Sequence, residues 1–198
     1  MIPEEIEELR NKAFNEARTF RRNLIKQNNR LDHREALADL VREEINKRFP
    51  NIMGLLYEWQ YSAGCVQAHN LKKIELEING GNFEDISEEI DIDNKYNINL
   101  TDDIIKEYIQ IVEWNKEYYD YKYYKEREGK ILYRGSKNVE IKNKPLQSFT
   151  SKKSIVKKFG YHKRECKVTM DNIRFIPELL PNWNYYNERE FIISKEEA

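Results

Sequence analysis

The chain has 198 residues, a formal net charge of -1, 39% hydrophobic residues and 35% charged residues. That size fits one domain, or one domain with a helical extension, and the plentiful aromatics argue for a packed core with a heavily charged surface rather than a disordered chain. The near-zero charge excludes a global basic field for nucleic acid, no run reaches the ~18 apolar residues of a membrane helix, and Cys65 and Cys166, without a CxxC, exclude a disulfide framework. The acidic start Met1-Ile2-Pro3-Glu4-Glu5 has no apolar signal region, so a reducing, cytoplasmic setting is expected.

The first predicted helix covers residues 3–29, where Ile6, Leu9, Ala13, Ala17, Phe20 and Leu24 recur at three- and four-residue steps. Pro3 suits a first turn, the glutamates that follow complement the dipole, and Asn28-Asn29 reads as a stop. Asp32 with Glu35 resembles a capping box for a second helix, whose face of Leu37, Leu40, Val41, Ile45 and Phe49 runs to Pro50. A third helical pattern spans 52–78, with Gly64 in its middle. Asn79-Gly80-Gly81-Asn82 breaks it, and the acidic stretch 84–93 reads as loop. Thr101, Asp102 and Asp103 begin a further helix to about residue 128, carrying a tyrosine cluster from Tyr118 to Tyr124. After Gly129 the runs shorten and alternate. Strands are expected at 131–134, 166–170, 173–176 and 191–193, with a short helix at 154–159. This predicts an α+β protein: a mainly helical region 1–128 and a strand-rich region 129–198, packed as one compact unit.

Three stretches in the second region carry chemistry: Leu132-Tyr133-Arg134-Gly135, Ser148-Phe149-Thr150-Ser151 and Glu188-Arg189-Glu190-Phe191. Each lies beside an apolar run that could be a strand. Arginine can hold a phosphate, serine can orient a carboxylate, and glutamates two apart in a strand share a side. Singly, each has a plainer reading: a surface ion pair, a turn or cap, a solvated edge. Together they could grip a dinucleotide and stabilise a positively charged sugar.

In order and spacing these stretches resemble the mono-ADP-ribosyltransferase family of the arginine-serine-glutamate class, over about the last 70 residues. Ser154-Ile155-Val156-Lys157-Lys158-Phe159 is similar to the family's helix after the serine motif, and the helical N-terminus to the segment ahead of its core. The resemblance implies an ADP-ribosyltransferase-like sheet and transfer of ADP-ribose from NAD, as co-substrate without a metal, to an arginine of an unidentified protein. It implies Glu190 at the developing oxocarbenium charge, Ser148 fixing Glu190, Arg134 on phosphate or ribose oxygens, and Gly135 admitting the nicotinamide amide. Thr150 belongs to the same NAD-binding set, Phe149 or Phe159 would pack near the nicotinamide ring, and core packing is the alternative for Phe159. Glu188 would pair with and deprotonate the acceptor, and Trp183, Tyr185 and Tyr186 would lie in the acceptor loop; packing on the sheet is the plainer alternative for Trp183 and Tyr185. The family usually has further sheet after this glutamate strand; here the sequence stops at Ala198, so either an earlier strand completes the sheet or the core is reduced.

Asp91-Ile92-Asp93-Asn94-Lys95-Tyr96 lacks the sixth-position glycine of a calcium loop, and His33, His69 and His162 are isolated. A basic patch of Lys152, Lys153, Lys157, Lys158, Lys163 and Arg164 reads as a solvated face or a contact for NAD phosphates or a nucleic-acid-associated target. Direct nucleic-acid binding and membrane association are not expected. The rival readings are NAD hydrolysis or transfer to a non-protein acceptor, and a non-catalytic module of the same fold.

Overall fold

The computed structural model describes residues 1–27, 34–61, 66–81, 99–123, 125, 130–137, 145–181 and 189–194. Helix α1, Pro3–Gln27, buries Ile6, Ala13 and Ala17 on one face. That face meets α5, Asp102–Lys122, where Phe20 stacks on Trp114 at 4.9 Å and Arg21 donates through Nε to Glu117 Oε1 at 2.8 Å. Helix α2, Arg34–Arg48, ends just before Pro50, which opens α3, Pro50–Tyr61: a proline at a first helical position loses no intrahelical hydrogen bond. Helix α4 is Val66–Asn79. The single pattern expected over 52–78 is described as two helices, and Gly64 lies outside the described residues.

Thr101 caps α5, its side-chain oxygen accepting from Ile104 N at 3.4 Å. The helix stops at Lys122, short of the expected residue 128. Tyr123 is drawn into the interior instead: its ring lies 5.9 Å from that of Phe191, and its hydroxyl donates to Glu178 Oε1 at 2.8 Å. Tyr118 and Tyr119 are fully buried, so the described part of the tyrosine cluster packs inward.

The strands are β1, Lys130–Ser136; β2, Leu146–Thr150; β3, His162–Val168; β4, Ile173–Phe175; and β5, Glu190–Ser194. They form one antiparallel sheet in the order β3-β1-β2-β5-β4. Strand β3 covers 162–168 rather than 166–170, because Thr169 and Asn172 close a turn: Thr169 N donates to Asn172 Oδ1 at 2.9 Å and Asn172 N to Thr169 Oγ1 at 3.4 Å. The expected short helix at 154–159 is a turn followed by 3-10 geometry at Val156–Lys158. Strand β5 sits inside the sheet, flanked by β2 and the earlier β4.

The ladder between β1 and β3 runs the whole length of β1, and that between β2 and β5 the whole length of β2. These two parts are joined by a single registered pair, Tyr133 opposite Thr150. The sheet is thus loosest between β1 and β2, beside Arg134. One hydrophobic cluster takes residues from both regions, including Leu37, Ile45, Trp59, Tyr119, Leu132 and Phe191, so helices and sheet share a core. Among the described residues no helix is long and apolar enough to cross a membrane.

Candidate active site

In β2 and β5, Thr150 lies opposite Glu190 and Ser148 opposite Ile192. Residues directly opposite share a face, so Ser148 and Glu190 are diagonal neighbours on one side of the sheet. The Ser148 hydroxyl donates to Glu190 Oε1. A third side chain closes the group from above. The Trp59 indole Nε1 donates to Ser148 Oγ at 3.0 Å and to Glu190 Oε1 at 3.1 Å. Helix α3 fixes that indole because Ile52, Leu55, Leu56 and Trp59 are all buried, at steps of three and four along one helical face. A single oxygen of Glu190 is therefore gripped from both its own sheet and a helix.

Glu190 is half-buried and is the first residue of β5. Arg189 before it has φ 48, the left-handed region that costs an ordinary residue about 1–3 kcal/mol. The chain thus turns into the strand at Arg189. The same-side argument for Glu188 and Glu190 needs continuous extended backbone, and it fails at this residue. Glu188 lies outside the described residues, as do Trp183, Tyr185 and Tyr186.

Arg134, in β1, donates from Nη1 to the Ser148 carbonyl at 2.6 Å. Its buried Nε has no hydrogen-bond partner. Leaving such a donor unpaired costs about 1–3 kcal/mol, which an incoming acceptor oxygen would recover. Burial pushes the guanidinium pKa down, Arg164 directly across from it in β3 pushes it further, and Glu190 pulls it back up. A concentrated positive charge with a spare donor suits an anionic group.

The other expected NAD contacts divide. Gly135 is required by the protein itself: a Cβ there would lie 2.2 Å from the Val156 carbonyl oxygen and 3.2 Å from Phe159 Cβ. The close approach that glycine permits is to the 3-10 turn. Thr150 is buried and its hydroxyl accepts from Lys152 N at 3.0 Å, a local turn contact. Phe149 is buried in the core, opposite Phe191, while Phe159 is exposed, so the two phenylalanines are reversed from the core role expected for Phe159. By alternation along β2, Phe149 points away from the face of Ser148.

Trp59 is the participant the sequence did not give. Its one trace there is chemical: a tryptophan on an apolar helix face needs an acceptor for its N–H. Its acceptors lie 89 and 131 residues away, with nothing in the chain to name them. Among the described residues no group of three or more His, Cys, Asp or Glu side chains forms a metal site. Comparison with family models, with curated proteins and with solved structures returned no match.

Proposed function

We propose that this α+β protein is a mono-ADP-ribosyltransferase of the arginine-serine-glutamate class, transferring ADP-ribose from NAD to an arginine side chain of a protein. The observation that carries the reading is the gripped carboxylate: Glu190 held by Ser148 and Trp59, with Arg134 anchored beside them on the Ser148 carbonyl. The resemblance of the three motifs, which rests on the same residues, points the same way. In this reading Arg134 holds the NAD phosphate or ribose oxygens through its spare Nε. The nicotinamide–ribose bond breaks with its electron pair leaving on nicotinamide, a neutral product, so no acid is demanded. The sugar becomes oxocarbenium-like, as in glycoside cleavage, and Glu190 stabilises it at the ribose 2′-hydroxyl. Two fixed donors keep the carboxylate aimed, so little reorganisation is needed as charge develops. An arginine nitrogen then attacks the anomeric carbon and gives up its proton to Glu188.

The test is incubation with NAD labelled in its ADP-ribose part and a cell extract. Label on protein that disappears with Glu190→Gln supports the reading, and Glu188→Gln is expected to abolish transfer to arginine while NAD cleavage continues. Free ADP-ribose without transfer would assign hydrolysis. No NAD binding and no turnover by the wild-type protein would overturn both.

A further inference from the structure

The connection from β2 to β3 carries a feature that the NAD reading does not use. Residues 151–164 contain Lys152, Lys153, Lys157, Lys158, Lys163 and Arg164 and no acidic residue, in a chain of net charge -1. Two aromatics stand out of the same segment: Phe159 is 44% exposed and Tyr161 95% exposed. A tyrosine that exposed gains nothing from the core and gives up the burial that aromatic rings normally contribute.

The aromatics are held on a rigid support. Ile155 and Val156 are buried, and successive backbone bonds close the turn: Ile155 N to Lys152 O at 3.0 Å, Lys158 N to Ile155 O at 2.9 Å and Phe159 N to Val156 O at 3.1 Å. Gly160, at φ +148, packs so closely on the end of β1 that a Cβ would lie 2.0 Å from Ser136 O. The folded turn therefore presents both rings in advance, and a ligand stacking on them need not order the segment. Part of the charge is already engaged, since Lys153 pairs with Glu165 at 3.5 Å and lies 5.2 Å over the Tyr133 ring. Lys157, Lys158 and Lys163 are exposed around the aromatics.

We infer that this turn is a docking surface for single-stranded nucleic acid. Cations that track a backbone, interleaved with ring faces open to stacking, match a chain of phosphates and unpaired bases. An acidic peptide would satisfy the lysines and leave the two rings unused. Duplex would hide the base faces that the rings require. The near-neutral total charge does not oppose this: residues 151–164 hold no acid, the adjacent Glu165 is engaged by Lys153, and screening confines each cluster to about 10 Å. The surface borders the candidate active site through Gly135, which contacts the same turn.

The inference stands apart from the NAD reading and is tested without NAD, by fluorescence anisotropy of labelled 12-nucleotide dT and U oligomers on the full chain. Binding is expected at low salt and to weaken steadily as salt rises. Tyr161→Ala should weaken it about tenfold, and Lys157→Glu with Lys158→Glu should weaken it and flatten the salt dependence. Both variants alter exposed side chains, and unchanged circular dichroism would establish that they fold. No binding at low salt, binding unaffected by either variant, or equal competition by duplex DNA or polyglutamate would overturn the proposal.

Discussion

Two carboxylates in the interior of this protein are held in opposite ways. Glu75 of α4 is fully buried and both its oxygens are engaged. Arg174 Nε donates to them at 2.9 and 3.0 Å, Tyr108 Oη to Oε2 at 2.6 Å and Asn79 Nδ2 to Oε1 at 2.9 Å. Burial alone would lower the Arg174 pKa, yet Glu75 overrides it and raises it. Glu190 is half-buried, and two neutral donors, a hydroxyl and an indole, reach its Oε1. The nearby guanidinium of Arg134 spends its Nη1 on a backbone carbonyl. The first arrangement matches a buried anion to a buried cation and joins α4, α5 and β4. The second fixes a carboxylate at the edge of the interior and keeps a cation beside it with a donor to spare. A fully matched pair serves the fold, whereas a preorganised carboxylate next to an unsatisfied donor suits a ligand.

Substitutions separate the two. Glu75→Gln strands the Arg174 charge in the interior and is expected to cost about 3–5 kcal/mol, read as a large drop in the midpoint of denaturant unfolding. Glu190→Gln keeps acceptors for Ser148 and Trp59. It should leave that midpoint nearly unchanged while slowing NAD cleavage about 10²–10³-fold. If the two variants lost stability equally, the contrast between a structural and a functional carboxylate would collapse. Trp59→Phe preserves the ring in the core and removes only the N–H. Turnover should fall about tenfold, consistent with one hydrogen bond to a charged group, and no further in a Glu190→Gln background. A further loss there would mean that Trp59 acts through packing rather than through Glu190.

The smallest expected effect is on pH dependence. Burial first, then Glu75, raises the Tyr108 pKa well above its ordinary value of 10.0, and burial with Glu178 does the same for Tyr123. A raised folded pKa means that the folded state holds these protons after the unfolded chain releases them. Stability from this source is complete below about pH 10 and declines above it. Urea midpoints between pH 8 and 11 should stay level and then fall, and Tyr108→Phe should make the fall shallower.

Much of the candidate site was legible because its parts are local. Arg134, Ser148 and Glu190 each sit on a strand, and the expected hydrogen bond from Ser148 to Glu190 is present. Glu188 lies outside the described residues, and the period of two that put it on one side with Glu190 assumes extended backbone, which Arg189 leaves. Core packing was expected for Phe159, which is exposed, while Phe149, offered with it as a nicotinamide contact, lies in the core; motif spacing does not report burial. Gly135 was expected to admit the nicotinamide amide; the close approach in the fold is to the Val156 carbonyl.

By itself the sequence determined the α+β division, the apolar face of α1, the Thr101 cap and the three polar motifs. All of these rest on residues a few positions apart, where propensity, periodicity and capping act. Only the tertiary structure decided the rest: β5 placed between β2 and β4, Trp59 brought onto Glu190, and Arg174 joined to Glu75 across 99 residues. Such contacts are chosen by how whole elements pack around a shared core, and packing leaves no periodic trace in the chain.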